Sequence, residues 1–189
     1  AQLARNYDNK VQIGGNHMVF APVYGPPFVS DLDGGRRRAS IEDFRNFIRL
    51  AYLCPHMHHS GGTLVEPNDV DVRERHLDML LAHITLSDKA FMGSVTHADN
   101  ARDTVTLARI LLGADAIEEN PAAISIINAS SPLRFDDRML GALEVYARAR
   151  QAVIVTPFII AGAMSPSSVA ATLAQQNAEA LFGICYAQM

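Results

Sequence analysis

The sequence predicts an α/β fold of about five βα units, part of a (β/α)8 TIM barrel, and three observations carry that prediction. Short apolar runs rich in β-branched residues alternate with stretches of helical spacing, the pattern of parallel strands joined by helical crossovers. The units recur at roughly 30–40 residues without repeating one another's sequence, as βαβ crossovers do and solenoid modules do not. No GxGxxG or GxxxxGK[ST] loop follows any of the runs, which removes the commonest nucleotide-binding reason for the rival architecture, an open doubly wound sheet complete at this length.

In chain order, the first strand is expected over His17 to Tyr24 (HMVFAPVY). Ser40 then caps a helix that sets Ile41, Phe44, Ile48, Ala51 and Tyr52 on one face. The second strand runs from about His59 to Val65, and its helix, opening near Asp71, places Leu77, Leu80, Leu81 and Ile84 on a buried stripe. Ala90 to Val95 is the third strand. A helix from about Asp99 follows, with Ala101, Val105, Ala108 and Leu112 inward and Gly113 as its stop. Ala123 to Ala129 (AISIINA) is a fully apolar fourth strand, broken by Ser130-Ser131-Pro132; a helix from about Asp136 buries Met139, Leu140, Leu143 and Ala147. The fifth strand is Ala152 to Ile160, after which Ser167 caps a helix with Ala170, Leu173, Ala174, Ala178, Leu181 and Phe182 inward.

The 189 residues, 49% hydrophobic, suit a single domain, whereas a whole barrel needs ~250 residues. The chain opens on Ala1 and closes at Met189 directly after an apolar segment. It therefore reads as the N-terminal-to-middle part of a barrel, residues 1–189 forming one unit. Sixteen basic and 20 acidic residues leave a formal charge of −4, too small an imbalance to argue for nucleic acid or an anionic membrane. Cys54 and Cys185 form neither a CxxC pair nor a disulfide framework and read as core thiols in a reducing cytoplasm. No run approaches the ~18 apolar residues of a membrane span, and Ala1 to Lys10 lacks the apolar centre of a signal peptide.

Four segments, in this order, resemble the trimethylamine methyltransferase family: GGNHMVFAPVYGPPFVSDLDGGRRRAS, EPNDVDVRERHLDMLLAHITLSDKAF, INASSPLRFDDRML and PFIIAGAMSPSSVAATLAQQNAEALFG. The turn AGAMSPSSVAA departs in wording from the family's usual AGAT-P-T-AG. The resemblance implies a (β/α)8 barrel that moves a methyl group from a methylated amine, trimethylamine or a quaternary amine such as glycine betaine, to the Co(I) centre of a corrinoid protein. No cofactor is then held tightly by the chain itself, the corrinoid (cobalamin) being carried by the partner. Where members of the family carry pyrrolysine, it sits on a later strand. Expected partners are the amine, the corrinoid protein and a further copy of the chain in a homo-oligomer.

Function in a barrel collects where strands end and βα loops begin. Tyr24, Phe28 and Asp31 follow the first strand and offer two aromatic faces and a carboxylate, which suit a trimethylammonium group that donates no hydrogen bond and is held by cation–π attraction; the alternative is packing around a rigid Gly25-Pro26-Pro27 turn. His97, Asn128, Ser130, Ser131 and Thr156 stand at the ends of later strands and suit orientation of a substrate carboxylate or amine, with helix capping as the alternative for His97 and the serines. Asn128 is favoured because it interrupts an apolar strand end. Arg36, Arg37 and Arg38 read as a solvated loop or a docking surface for an acidic corrinoid partner. His56, His58, His59 and Glu66 invite a metal reading, but no metal is assigned, because no histidine follows His97. His76 and His83 are expected on a helix surface. Two rival functions stay open: a metal-dependent barrel hydrolase or lyase, and a noncatalytic barrel that binds betaines or a corrinoid protein.

Overall fold

A computed structural model describes residues 2, 4–5 and 10–189; of the opening stretch Ala1 to Lys10, positions 1, 3 and 6–9 lie outside the described residues. The elements run β1 (Phe28–Asp31), β2 (Gly35–Arg38), α1 (Ile41–Leu53), β3 (His59–Gly61), α2 (Arg75–Leu86), β4 (Ala90–Met92), α3 (Ala98–Leu112), α4 (Ala114–Glu119), β5 (Ala123–Ala129), α5 (Asp137–Arg148), β6 (Ala152–Pro157) and α6 (Val169–Gln188). Strands β3, β4, β5 and β6 form one sheet in chain order, every pair parallel. Each strand is followed by a helix, the connection that parallel neighbours require. Among the described residues no helix is long and apolar enough to cross a membrane.

The first expected strand, 17–24, is not a strand. Pro22, Pro26 and Pro27 bring no amide N–H to a ladder, and the segment is tied to the β3 region by scattered bonds instead. His58 N donates to Phe20 O at 3.0 Å, Gly25 N to Thr63 O at 2.6 Å, and Glu66 N to Pro26 O at 2.9 Å. These partners advance together along both segments, so residues 20–26 lie alongside β3 in a parallel sense without forming regular sheet. The loop expected around the arginine triplet is a hairpin: β1 and β2 pair antiparallel from Phe28↔Arg38 to Asp31↔Gly35.

The first helix follows its sequence closely. Ser40 accepts from Asp43 N while the Asp43 carboxylate accepts from Ser40 N, a reciprocal cap, and Phe44, Ile48 and Ala51 are buried. In α3 all four expected residues are buried, and Gly113 ends the helix at φ 88 before the short α4, which was not expected. Asp136 caps α5, whose Leu143 and Tyr146 join Ala123 and Ile127 of β5 and Val105, Ala108 and Leu112 of α3 in the main apolar core.

Two helices turn a different face inward. In α2 the expected Leu77 and Leu81 are exposed, whereas His76, at 6% exposure, and His83, at 3%, are buried with Leu80. Both histidines, expected on the surface, are drawn in by polar partners on other elements. In α6, capped by Ser168 rather than Ser167, the buried residues are Glu179 and Gly183, while Leu173, Leu181 and Phe182 are exposed. Gly183 brings the helix against β6: a Cβ there would lie 2.7 Å from Val155 Cγ1. Neither cysteine is a core thiol, since Cys54 is half-buried and Cys185 exposed.

Candidate active site

Strand register places the candidate residues. In β5 and β6 the pairs Ile124↔Ala152, Ile126↔Ile154 and Asn128↔Thr156 share one face of the sheet, because alternate residues of a strand point the same way. The opposite face carries Ala123 and Ile127 into the core under the helices. Met92, the last residue of β4, pairs with Ile124 and belongs to the same face as Asn128.

Tyr24 joins that face through a glycine. A Cβ built on Gly62 would lie 2.6 Å from Tyr24 Cε2 and 3.0 Å from Met92 Cβ, so the tyrosine ring and Met92 meet over the bare Gly62 backbone. Tyr24 remains 37% exposed. Burial of its phenol pushes the pKa above the ordinary value, against a smaller opposing effect of the hydrogen bond with the Thr63 side chain. The face thus runs from Tyr24 across Met92, Ile124 and Ile126 to Asn128 and Thr156, aromatic at one side, apolar between and polar at the other. Asn128 and Thr156 stand near the C-terminal ends of β5 and β6 and Met92 ends β4, whereas Ile124 is the second residue of β5, so the face runs along the strands as well as across them.

Thr156 Oγ1 donates to Asn128 Oδ1 at 2.5 Å. That bond fixes the amide, leaving the Asn128 NH2 as a donor directed away from its neighbour. Ser130 follows β5 and closes a tight loop through Ser130 N to Arg134 O at 2.7 Å. Its neighbour Ser131 donates to Glu179 at 2.5 Å. His97 is the N-cap of α3, accepting from Asp99 N through Nδ1.

The hairpin residues have other engagements. Asp31 accepts from Gly34 N at 2.5 Å, from Asp33 N and from Arg37, and these bonds, the Gly34 one foremost, hold its carboxyl below the usual range. Arg37 grips Asp43 through both terminal nitrogens at 2.5 and 2.7 Å, which ties the hairpin to the start of α1. Arg36 stacks over Phe28, its guanidinium carbon 4.2 Å from the ring centroid. One face of that ring is therefore already occupied by a cation. Arg36 and Arg38 form no ion pair among the described residues.

The histidines and acid of the metal reading do not converge: among the described residues no three His, Cys, Asp or Glu side chains gather to hold an ion. His58 Nδ1 accepts from Phe20 N at 3.0 Å. Glu66 pairs with Arg75 at 2.5 Å. His59 is buried, its pKa pushed to about 4 by that burial and by the nearby His58.

Three buried polar groups escaped the sequence reading. Glu179 accepts from Ser131, Leu133 N and Gln175; burial works to raise its pKa, but those bonds outweigh it and the group lies below the usual range. His76 meets Asp103 at 2.7 Å. His83 bridges Ser60 and Gly62. Their spacing is helical, Gln175, Glu179 and Gly183 recurring every fourth residue and His76, Leu80 and His83 at like intervals, but apolar stripes on the same helices compete with it and mask it.

A family model described as Trimethylamine methyltransferase (MTTB) matches residues 1–189. Over 186 residues, 98% of this chain, the sequence is 50% identical to a glycine betaine methyltransferase of Desulfitobacterium hafniense (strain Y51), of whose length the chain spans 39%.

Proposed function

The chain belongs to the trimethylamine methyltransferase family, and from that premise we propose that it supplies the amine-binding wall of an enzyme that demethylates a quaternary amine such as glycine betaine, or trimethylamine. The observation that carries the reading is the single face on which the Tyr24 ring stands across an apolar strip from the Asn128–Thr156 pair. A betaine carries the two corresponding groups, a trimethylammonium at one end and a carboxylate at the other. The 50% identity to a glycine betaine methyltransferase supports the choice of substrate.

The methyl acceptor in this proposal is a co-substrate, the Co(I) centre of a corrinoid carried by a separate protein, whose electron pair takes the methyl carbon while the broken C–N pair stays on nitrogen. A quaternary amine leaves as a neutral tertiary amine, and trimethylamine leaves as neutral dimethylamine when it arrives protonated, so the chain need not provide a nucleophile or a general acid. Its work is positioning. Tyr24 and the free face of Phe28 hold the ammonium group by cation–π attraction, ~0.5–2 kcal/mol per ring. Met92, Ile124, Ile126 and Ile154 keep water from the methyl groups, and Asn128 NH2, with Ser130 and His97 beside the strand ends, orients the carboxylate. Asp31, engaged in its turn, shapes the hairpin that carries Phe28.

The same proposal covers the architecture. Four parallel strands in chain order, with residues 20–26 alongside the first, form the five-unit arc of a (β/α)8 barrel whose remaining units belong to the full-length protein. Arg36 and Arg38, unpaired with carboxylates among the described residues, face the acidic corrinoid partner in this proposal, and the setting is cytoplasmic. Glycine betaine–dependent methylation of a corrinoid protein by the full-length protein is the test. Tyr24→Ala should raise KM about 2–30-fold with kcat undiminished or raised, because the cationic charge it holds fades in the transition state and the ring binds the ground state more tightly. An unchanged KM would remove Tyr24 from the site, and absence of methyl transfer from any methylated amine would remove the function.

A further inference from the structure

Beneath the Tyr24 ring, three buried groups form a chain that reaches it from the helix layer. His83 Nε2 lies 2.8 Å from Gly62 O, and His83 Nδ1 lies 2.9 Å from Ser60 Oγ. A carbonyl only accepts, so Nε2 must carry the proton. The imidazole is neutral, its pKa pushed to about 4 chiefly by burial, which leaves Nδ1 bare. The Ser60 hydroxyl, 3.3 Å from Ala90 O, then gives its proton to the nearer nitrogen. Phe44 stands edge-on to the imidazole at 5.4 Å and Phe91 stacks at 6.3 Å, locking its plane.

Gly62 O also accepts from Leu64 N at 3.1 Å. One donor from α2 and one from within the turn therefore fix residues 62–64, and that turn holds Tyr24 in three ways. The Gly62 backbone is the floor of the ring, the Thr63 side chain bonds the phenol, and Thr63 O accepts from Gly25 N at 2.6 Å. The space left among Gly62, Thr63, His83, Met92 and their neighbours is about 10 Å³, so the turn is closely packed against the histidine.

We propose that His83, oriented by Ser60, is a positioning residue for amine binding that acts on substrate only through Gly62, Thr63 and Tyr24. The proposal rests on the reading of Tyr24 as a wall of the amine site. His83 itself touches no substrate. Its donor keeps the turn, and with it the aromatic face, at one height and tilt.

A double-mutant cycle in the full-length protein tests this, with dissociation constants for glycine betaine and tetramethylammonium measured by calorimetry. Tyr24→Ala and His83→Leu should each weaken both ligands about 3–30-fold, the double variant should bind no worse than Tyr24→Ala, and His83→Gln, which retains a donor near the Nε2 position, should stay within about threefold of wild type. A residue that merely stabilises the fold would give additive losses and no rescue by glutamine. If Tyr24→Ala has no effect, the amine-site reading fails and this inference with it. If Tyr24→Ala weakens binding while His83→Leu is neutral or additive, only the role of His83 is overturned. Should His83→Leu not fold, Ser60→Ala takes its place in the cycle, with a loss of about 2–10-fold expected when Tyr24 is present and none in the Tyr24→Ala background; equal losses in both overturn the proposal.

Discussion

Asn128 of β5 and Thr156 of β6 stand directly opposite each other in a parallel register, and the threonine hydroxyl spends its proton on Asn128 Oδ1. A carboxylate approaching this edge of the sheet meets the amide NH2, whereas an ammonium group gains nothing from it. In the proposed site the pair therefore selects by charge sign.

Replacing Asn128 by Asp should separate the two ends of a betaine. Binding of glycine betaine is expected to fall about 10–100-fold, the ~1.5–3 kcal/mol of a hydrogen bond to a charged group, while tetramethylammonium binds as well as before or better. Calorimetry with both ligands reads the difference, and equal losses for the two would place Asn128 outside the carboxylate site.

The Arg36–Phe28 stack makes a second prediction. Arg36 already covers one face of the Phe28 ring, so Arg36→Ala should strengthen tetramethylammonium binding up to a few-fold by exposing that face and removing a like charge. Weaker binding would mean that Arg36 helps to build the site rather than competing within it.

Burial of two histidines makes stability depend on acid. His83 and His59 each titrate near 4 in the folded chain against an ordinary 6.5, so the unfolded chain binds their protons first. Their neutral burial costs nothing above about pH 6.5, and stability is lost as pH falls from there through about 4, by roughly 1–3 kcal/mol for each group. Urea unfolding of the full-length protein between pH 4 and 7.5 should show this slope, and His83→Gln should flatten part of it. An unchanged slope in that variant would show that His83 is protonated in the folded state.

Gly93 makes room for Tyr146. Any Cβ there would overlap the buried phenol, whose hydroxyl donates to Ser94 O at 2.6 Å and whose pKa is raised to about 12, mainly by burial. Gly93→Ala should therefore destabilise the protein by ~1–3 kcal/mol through overpacking, seen as a lower urea midpoint. Wild-type stability would mean that α5 shifts freely.

These features were unevenly legible in the sequence. AISIINA could be read to both its ends, because a run buried on one side and apolar on the other has few alternatives, and Ser40 with Asp43 announces the start of α1. Strand ends then put Asn128 and Thr156 near one another by counting alone. The inward turn of α2 was not legible, since apolar spacing favours Leu77 and Leu81, and what draws His76 and His83 inside are Asp103, Ser60 and the Gly62 carbonyl, 21 to 27 residues away in the chain. Glu179 was hidden likewise: its partners Ser131 and Leu133 lie in a different unit. The segment 17–24 has the composition of a strand, but its strand-like run is interrupted by proline at 22 and followed by prolines at 26 and 27.

The attachment of residues 20–26 by a few separated backbone bonds bears on how such a protein can change over evolutionary time. A residue exchanged within a regular ladder must respect pleat and register, or every neighbour shifts. Tyr24 sits outside that constraint, on a stretch whose route is set by backbone bonds at Phe20, Gly25 and Pro26. If Tyr24 lines the amine site as proposed, a substitution at position 24 alters amine preference without a change in the register that displays Asn128 and Thr156.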